Sequence, residues 1–200
     1  MQNRPQYHPS RGEQLANSIL ANTAKIIKDQ YLLQPCGEGA AMPGGPIQEL
    51  TLCFDTKHPY TKEQLRKLLI LASNELLQKV GNNNEIQEFI KKKPFTIKNI
   101  EIVIYNHDRE GRSVNDPVIS VAEISQMKLV YRTIDPQNSF KYKNRFEERY
   151  EEALKAINKS ENISLTPPPQ RTAAADTVEA VAVDAPEVVL ESALPTEEQS

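Results

Sequence analysis

Apolar positions from Leu15 onward fall at Ala16, Ile19, Thr23, Ile26 and Ile27, three or four residues apart, and so lie along one side of a helix. Just before them, Ser10-Arg11-Gly12-Glu13 has the spacing of a capping box, in which the Ser hydroxyl and the Glu carboxylate each accept from the other residue's unpaired backbone N–H. The pattern predicts a helix from about Arg11 to Leu32. Pro35, Gly37, Gly39, Pro43, Gly44, Gly45 and Pro46 follow without any period and predict a long loop.

The period then changes to two. Leu50, Leu52 and Phe54 alternate with Glu49, Thr51 and Cys53, which predicts a half-buried strand from Ile47 to Asp55. A second capping box, Thr61-Lys62-Glu63-Gln64, opens the next helix, with Tyr60 placed to staple onto Leu65. Leu65, Leu68, Leu69, Ala72, Leu76 and Val80 form its apolar stripe, and Gly81 is expected to end it in a left-handed conformation. Asn84-Glu85-Ile86-Gln87 predicts a shorter helix that stops near Lys92, because Pro94 disfavours helical geometry in the residue before it.

Three strands are predicted next, at Ile97 to Asn106, Pro117 to Ile124 and Met127 to Ile134. Only Ser125-Gln126 separates the last two, the length of a tight hairpin. Phe146, Tyr150, Ala153, Leu154 and Ile157 mark one side of a closing helix, with Glu151 and Lys155 paired at i,i+4 on another. The order α-β-α-α-β-β-β-α predicts a two-layer α+β domain: a four-stranded, mostly antiparallel sheet covered by about four helices. The place of the first strand in that sheet stays open.

A chain of 200 residues is one domain's worth. Splitting its charge changes the picture more than the total does. Residues 160–200 hold eight acids and the single base Arg171, so a net charge of −3 divides into a tail at −7 and a body at +4. That tail has no Phe or Tyr and opens with Pro167, Pro168 and Pro169, so it buries too little apolar surface to offset the entropy of ordering. The expected organisation is a loose N-terminus at 1–9, one α+β domain at 10–159, and a disordered acidic tail at 160–200.

No apolar run approaches the length of a membrane span, and the first residues, MQNRPQYHPSRGEQ, lack the apolar core of a secretory signal. Two cysteines, Cys36 and Cys53, make no disulfide framework, so a reducing, cytoplasmic setting is expected.

Candidate chemistry is sparse. His8, His58 and His107 have neither metal-ligand spacing nor a cysteine motif beside them, so no metal and no cofactor is expected. Cys53 with His58, or the loop residue Cys36, offers a Cys/His nucleophile as the alternative, enzymatic reading. Against it, a cysteine in a strand usually behaves as a small hydrophobe. The Gly-rich stretch runs from helix into strand and lacks the lysine of a phosphate loop. Basic residues do gather near aromatics: Lys91, Lys92 and Lys93 in one run, and Lys141, Lys143 and Arg145 interleaved with Phe140, Tyr142 and Phe146 in another. A body charge of +4 with no recognition motif does not suit a dedicated nucleic-acid binder. The expected activity is therefore a non-catalytic protein-interaction module. Lys91, Lys92, Lys93, Tyr142, Lys143 and Arg145 are its candidate partner-binding residues, and another protein its partner.

The stretch TKEQLRKLLILASNELLQKVGNNNEIQEFIKKKPFTIKNIEIVI and the later FEERYEEALKAI resemble small proteins of Gram-negative bacteria that live inside host cells. That resemblance implies a bacterial source and no particular activity. The order of elements is similar to the profilin-like and roadblock-like interaction folds, an analogy of fold alone. The acidic run Glu187 to Glu198 is similar in character to export signals of bacterial secreted effectors, which adds a third reading, a translocated effector.

Overall fold

The structure, a computed structural model, describes residues 7–159. Helix α1 (Arg11–Tyr31) starts at the capping box: the Ser10 N–H donates to Glu13 Oε2 at 2.7 Å and the Glu13 N–H to Ser10 Oγ at 3.3 Å. Leu32 closes it in the left-handed region at φ 59°, its N–H donating to the Lys28 carbonyl at 3.0 Å.

The expected loop after α1 is instead strand β1 (Gln34–Ala41), paired antiparallel with β2 (Glu49–Asp55). Pairing needs only backbone groups, and a well-formed neighbour supplies them whatever the side chains. Pro35 and the glycines are tolerated because β1 is an edge strand whose register slips between Pro35 and Gly37. The turn shrinks to the residues around Gly44 and Gly45, both at positive φ.

Helix α2 (Lys62–Gly81) also begins at its capping box, with the Thr61 N–H donating to Gln64 Oε1 at 3.0 Å and the Gln64 N–H to Thr61 Oγ1 at 3.3 Å. Its end differs from expectation. Gly81 stays helical, and Asn82 closes the helix at φ −83° by donating back to Gln78. The short helix expected after it is a single 3-10 turn, Ile86–Phe89, whose Ile86 N–H donates to Asn83 Oδ1 at 2.9 Å. Hydrogen bonds from Ile47 N–H to Phe89 O and from Lys91 N–H to Ile47 O draw the chain alongside the start of β2, which stops any longer helix.

Strands β3 (Ile100–Tyr105), β4 (Val121–Ser125) and β5 (Lys128–Asp135) match the three expected strands, with later starts. The β4–β5 hairpin turns on Gln126 and Met127, at φ 48° and 65°, the left-handed pair a two-residue turn requires even without Asn-Gly. A sixth strand was not expected. Strand β6 (Asn138–Arg149) pairs antiparallel with β5, so Phe146 belongs to it, and the closing helix α3 (Tyr150–Lys159) begins four residues later.

Among the described residues the result is an α+β fold of three α-helices and a six-stranded sheet in the order β1-β2-β3-β4-β5-β6, in place of four helices and four strands. Only β2 and β3 are parallel, because α2 carries the chain back between them; the other pairings are antiparallel. Leu50, Leu52 and Phe54, with Ile100, Ile102 and Ile104, Ala122 and Ile124, and Leu129 and Tyr131, face one way into a core shared with Leu20 and Ile27 of α1 and the stripe of α2. On the other face Val103, Val121 and Val130 are also buried. Arg132 bonds Glu123 through two nitrogens at 2.6 and 2.8 Å, and Tyr142 lies 5.5 Å from the Arg132 guanidinium. No helix among the described residues is long and apolar enough to cross a membrane. The expected tail lies outside the described residues.

Candidate partner-binding edge

Strand β6 is twelve residues long and outermost in the sheet, so one row of its backbone N–H and C=O groups has no strand beside it among the described residues. Its aromatics are exposed: Phe140 fully, Tyr142 by 51% and Phe146 by 45%. They do not share a face. Asn144 pairs with Thr133 and Tyr142 with Ile134, so Lys143 is the extra residue of a bulge. Below the bulge Phe146 stands opposite Tyr131 on the helix side; above it Tyr142 lies over Arg132 on the open side.

The basic residues of the strand are unequally engaged. Lys143 Nζ lies 2.9 Å from Asp116 Oδ2, and Asp116 Oδ1 also accepts from Thr133 Oγ1 at 2.9 Å and Asn144 Nδ2 at 2.6 Å. The lysine first, then the threonine hydroxyl, hold the Asp116 carboxyl below the usual carboxylate range. Arg145 pairs with Glu147. Lys141 has no acidic partner within 4.0 Å among the described residues.

Of the residues expected to bind a partner, Tyr142, Lys143 and Arg145 are thus brought together. Lys91, Lys92 and Lys93 are not with them. They lie beside the start of β2, where Lys91 and Lys92 line a shallow hollow of about 190 Å³ with Gln48 and Asn99. The registers place that end of the sheet next to Leu50 and Ile100, and the β6 cluster at the opposite end beside Tyr105 and Val121.

On the helix side of β6, Pro59, Tyr60, Thr61, Lys62, Pro117, Val118, Ile119 and Phe146 line a groove of about 490 Å³. Asn106, fully buried at the end of β3, holds both of its walls. Its Oδ1 accepts from Tyr60 N–H at 2.9 Å, and its Nδ2 donates to the carbonyls of Tyr60 at 3.0 Å and Ile119 at 2.7 Å. Lys62 Nζ sits 4.9 Å from the Tyr131 ring centre and 5.3 Å from that of Phe146. Behind it the Tyr131 hydroxyl donates to Glu148, which also accepts from Arg66 Nε at 2.7 Å. Burial and this bond push the Tyr131 hydroxyl well above its usual range. Sequence reasoning missed Phe146, Lys62, Val118 and Asn106 as a group. The alternation of Phe140, Tyr142 and Phe146 with Lys141, Lys143 and Arg145, interrupted only by Asn144, was the available signal for a strand.

The thiols lie at the far edge. Burial of the sulfur, then Asp55 and Cys53, push the Cys36 thiol up to about 12, and burial with Glu101 and Asp55 raises Cys53. Both shifts disfavour the thiolate, the nucleophilic form. His107 faces Asp55, with Nδ1 3.5 Å from Oδ1, and the His58 ring packs against that of Tyr60, centroids 4.3 Å apart and planes tilted by 55°. Among the described residues no three His, Cys, Asp or Glu side chains are placed to share a metal ion. Compared with protein-family models, curated proteins and solved structures, the chain matches none.

Proposed function

We propose that the chain is a non-catalytic protein-interaction module whose β6 edge receives an extended acidic segment of a partner protein. One observation carries this reading: a twelve-residue outermost strand that exposes Phe140, Tyr142 and Phe146 among Lys141, Lys143 and Arg145. Long exposed edges are normally blunted because they recruit further strands. An edge kept open and lined with aromatics suits strand addition, in which backbone hydrogen bonds supply affinity and side chains supply choice. Lys141, which has no acidic partner within 4.0 Å among the described residues, favours an acidic segment and speeds its encounter.

The test is selection of a displayed random twelve-residue peptide library on the immobilised full chain. Enriched peptides should be acidic, and their binding should weaken with salt and fall at least tenfold on Phe140→Ala with Lys141→Glu. Both side chains are exposed, so the thermal transition should not move. Absence of enrichment, or equal binding by the double variant, overturns the reading. The export-signal reading of Glu187 to Glu198 falls outside the described residues.

A further inference from the structure

Resting on that edge reading, we infer that the groove between β6 and the start of α2 selects the partner segment by a single apolar side chain flanked by carboxylates. A strand added outside β6 points every second side chain toward the helix layer. Phe146 already points there, opposite Tyr131, and it forms one wall of the groove. A residue of the added strand level with Phe146 therefore meets Val118 and Phe146, which are 38% and 45% exposed, and the two prolines beside them. Covering those surfaces is what an aliphatic or aromatic side chain gains there.

The groove is preformed. Asn106 fixes the backbone of Tyr60 on one wall and of Ile119 on the other, so little ordering remains to be done when a ligand arrives. Charge decides the neighbours of the anchor. Lys62 and Lys141 are the two lysines of this region without an acidic partner within 4.0 Å among the described residues. Lys62 reaches over Phe146 on the helix side, so its ammonium is placed for a carboxylate two residues from the anchor, about 7 Å along an extended chain.

The experiment compares three synthetic peptides, ETETLTETE, ETETATETE and ETETDTETE, for binding to the full chain and to variants. The Leu peptide should bind about tenfold more tightly than the Ala peptide, and the Asp peptide more weakly still. Val118→Asp should erase the difference between Leu and Ala. Lys62→Glu should weaken all three. Thermal unfolding of each variant controls for loss of fold, and Val118→Thr serves if Val118→Asp is unstable. If Leu and Ala peptides bind equally while Phe140→Ala with Lys141→Glu abolishes both, the anchor groove is refuted and the edge reading stands. If none of the peptides binds, both fall.

Discussion

Asn106 shows how much one side chain can organise. It is fully buried, and its amide answers the Tyr60 N–H, the Tyr60 carbonyl and the Ile119 carbonyl at once. Removing it orphans three backbone groups, each costing about 1–3 kcal/mol when buried without a partner. Asn106→Ala should therefore lower stability by about 3 kcal/mol or more in urea unfolding, and a loss under about 1 kcal/mol would contradict the bonding described. His58 offers a pH test. Burial, with Arg109 second, lowers its pKa from the ordinary 6.5, and its Nε2 has no hydrogen-bond partner among the described residues. The fold thus favours neutral His58, so its contribution is complete above about pH 6.5 and is lost as pH falls through the lowered value. His58→Phe, which keeps a ring against Tyr60, should flatten the decline in urea midpoint between about pH 7 and pH 5. An unchanged slope would show that other groups cause the decline.

Among the elements, α2 was the most legible. Its start follows from hydrogen bonds within four residues, and its stripe from a period that any helix with one buried side must show. Leu69 and Leu76 are fully buried in the core, so Leu69→Ala and Leu76→Ala should each cost about 2–5 kcal/mol by thermal or denaturant unfolding. Losses under about 1 kcal/mol at both would place the wrong face inside. The edges were less legible, for opposite reasons. Strand β1 carries Pro35, Gly37 and Gly39, which favour a loop locally, yet β2 offers it a ladder. Strand β6 ends directly in α3, so Phe146 satisfies a helical period by coincidence while its backbone pairs with Tyr131.

At the scale of the molecule, the core among the described residues runs from Leu15 to Ala153. A chain ended after Lys159 keeps every one of those side chains. It should unfold in a single cooperative transition with a midpoint within about 3 °C of the full chain, and a broad or absent transition would show that the acidic segment is needed for folding. The two basic clusters, equivalent as stretches of sequence, are separated by the sheet because one precedes β3 and the other lies on β6. That separation makes the roles of Lys91 to Lys93 and of Lys143 and Arg145 independently testable. Reversing the first three charges together should leave acidic-peptide binding at β6 within about twofold, since exposed charges beyond a Debye length are largely screened.

What the sequence determined by itself is local: both capping boxes, the helices they open, the alternating strand of β2, the hairpin length between β4 and β5, and the division of charge between body and acidic end. Those features depend on groups within a few residues of one another, so they can be read without knowing what lies opposite. Tertiary structure decided the rest. Backbone pairing with a distant partner turned a Gly- and Pro-rich stretch into β1. A bulge at Lys143 sent Tyr142 and Phe146 to opposite faces. The groove exists because residues around the start of α2, before β4 and in β6 come together, the first two joined through Asn106. Such meetings are set by the packing of layers and the pairing of strands far apart in the chain, and no period or motif within a single segment encodes them.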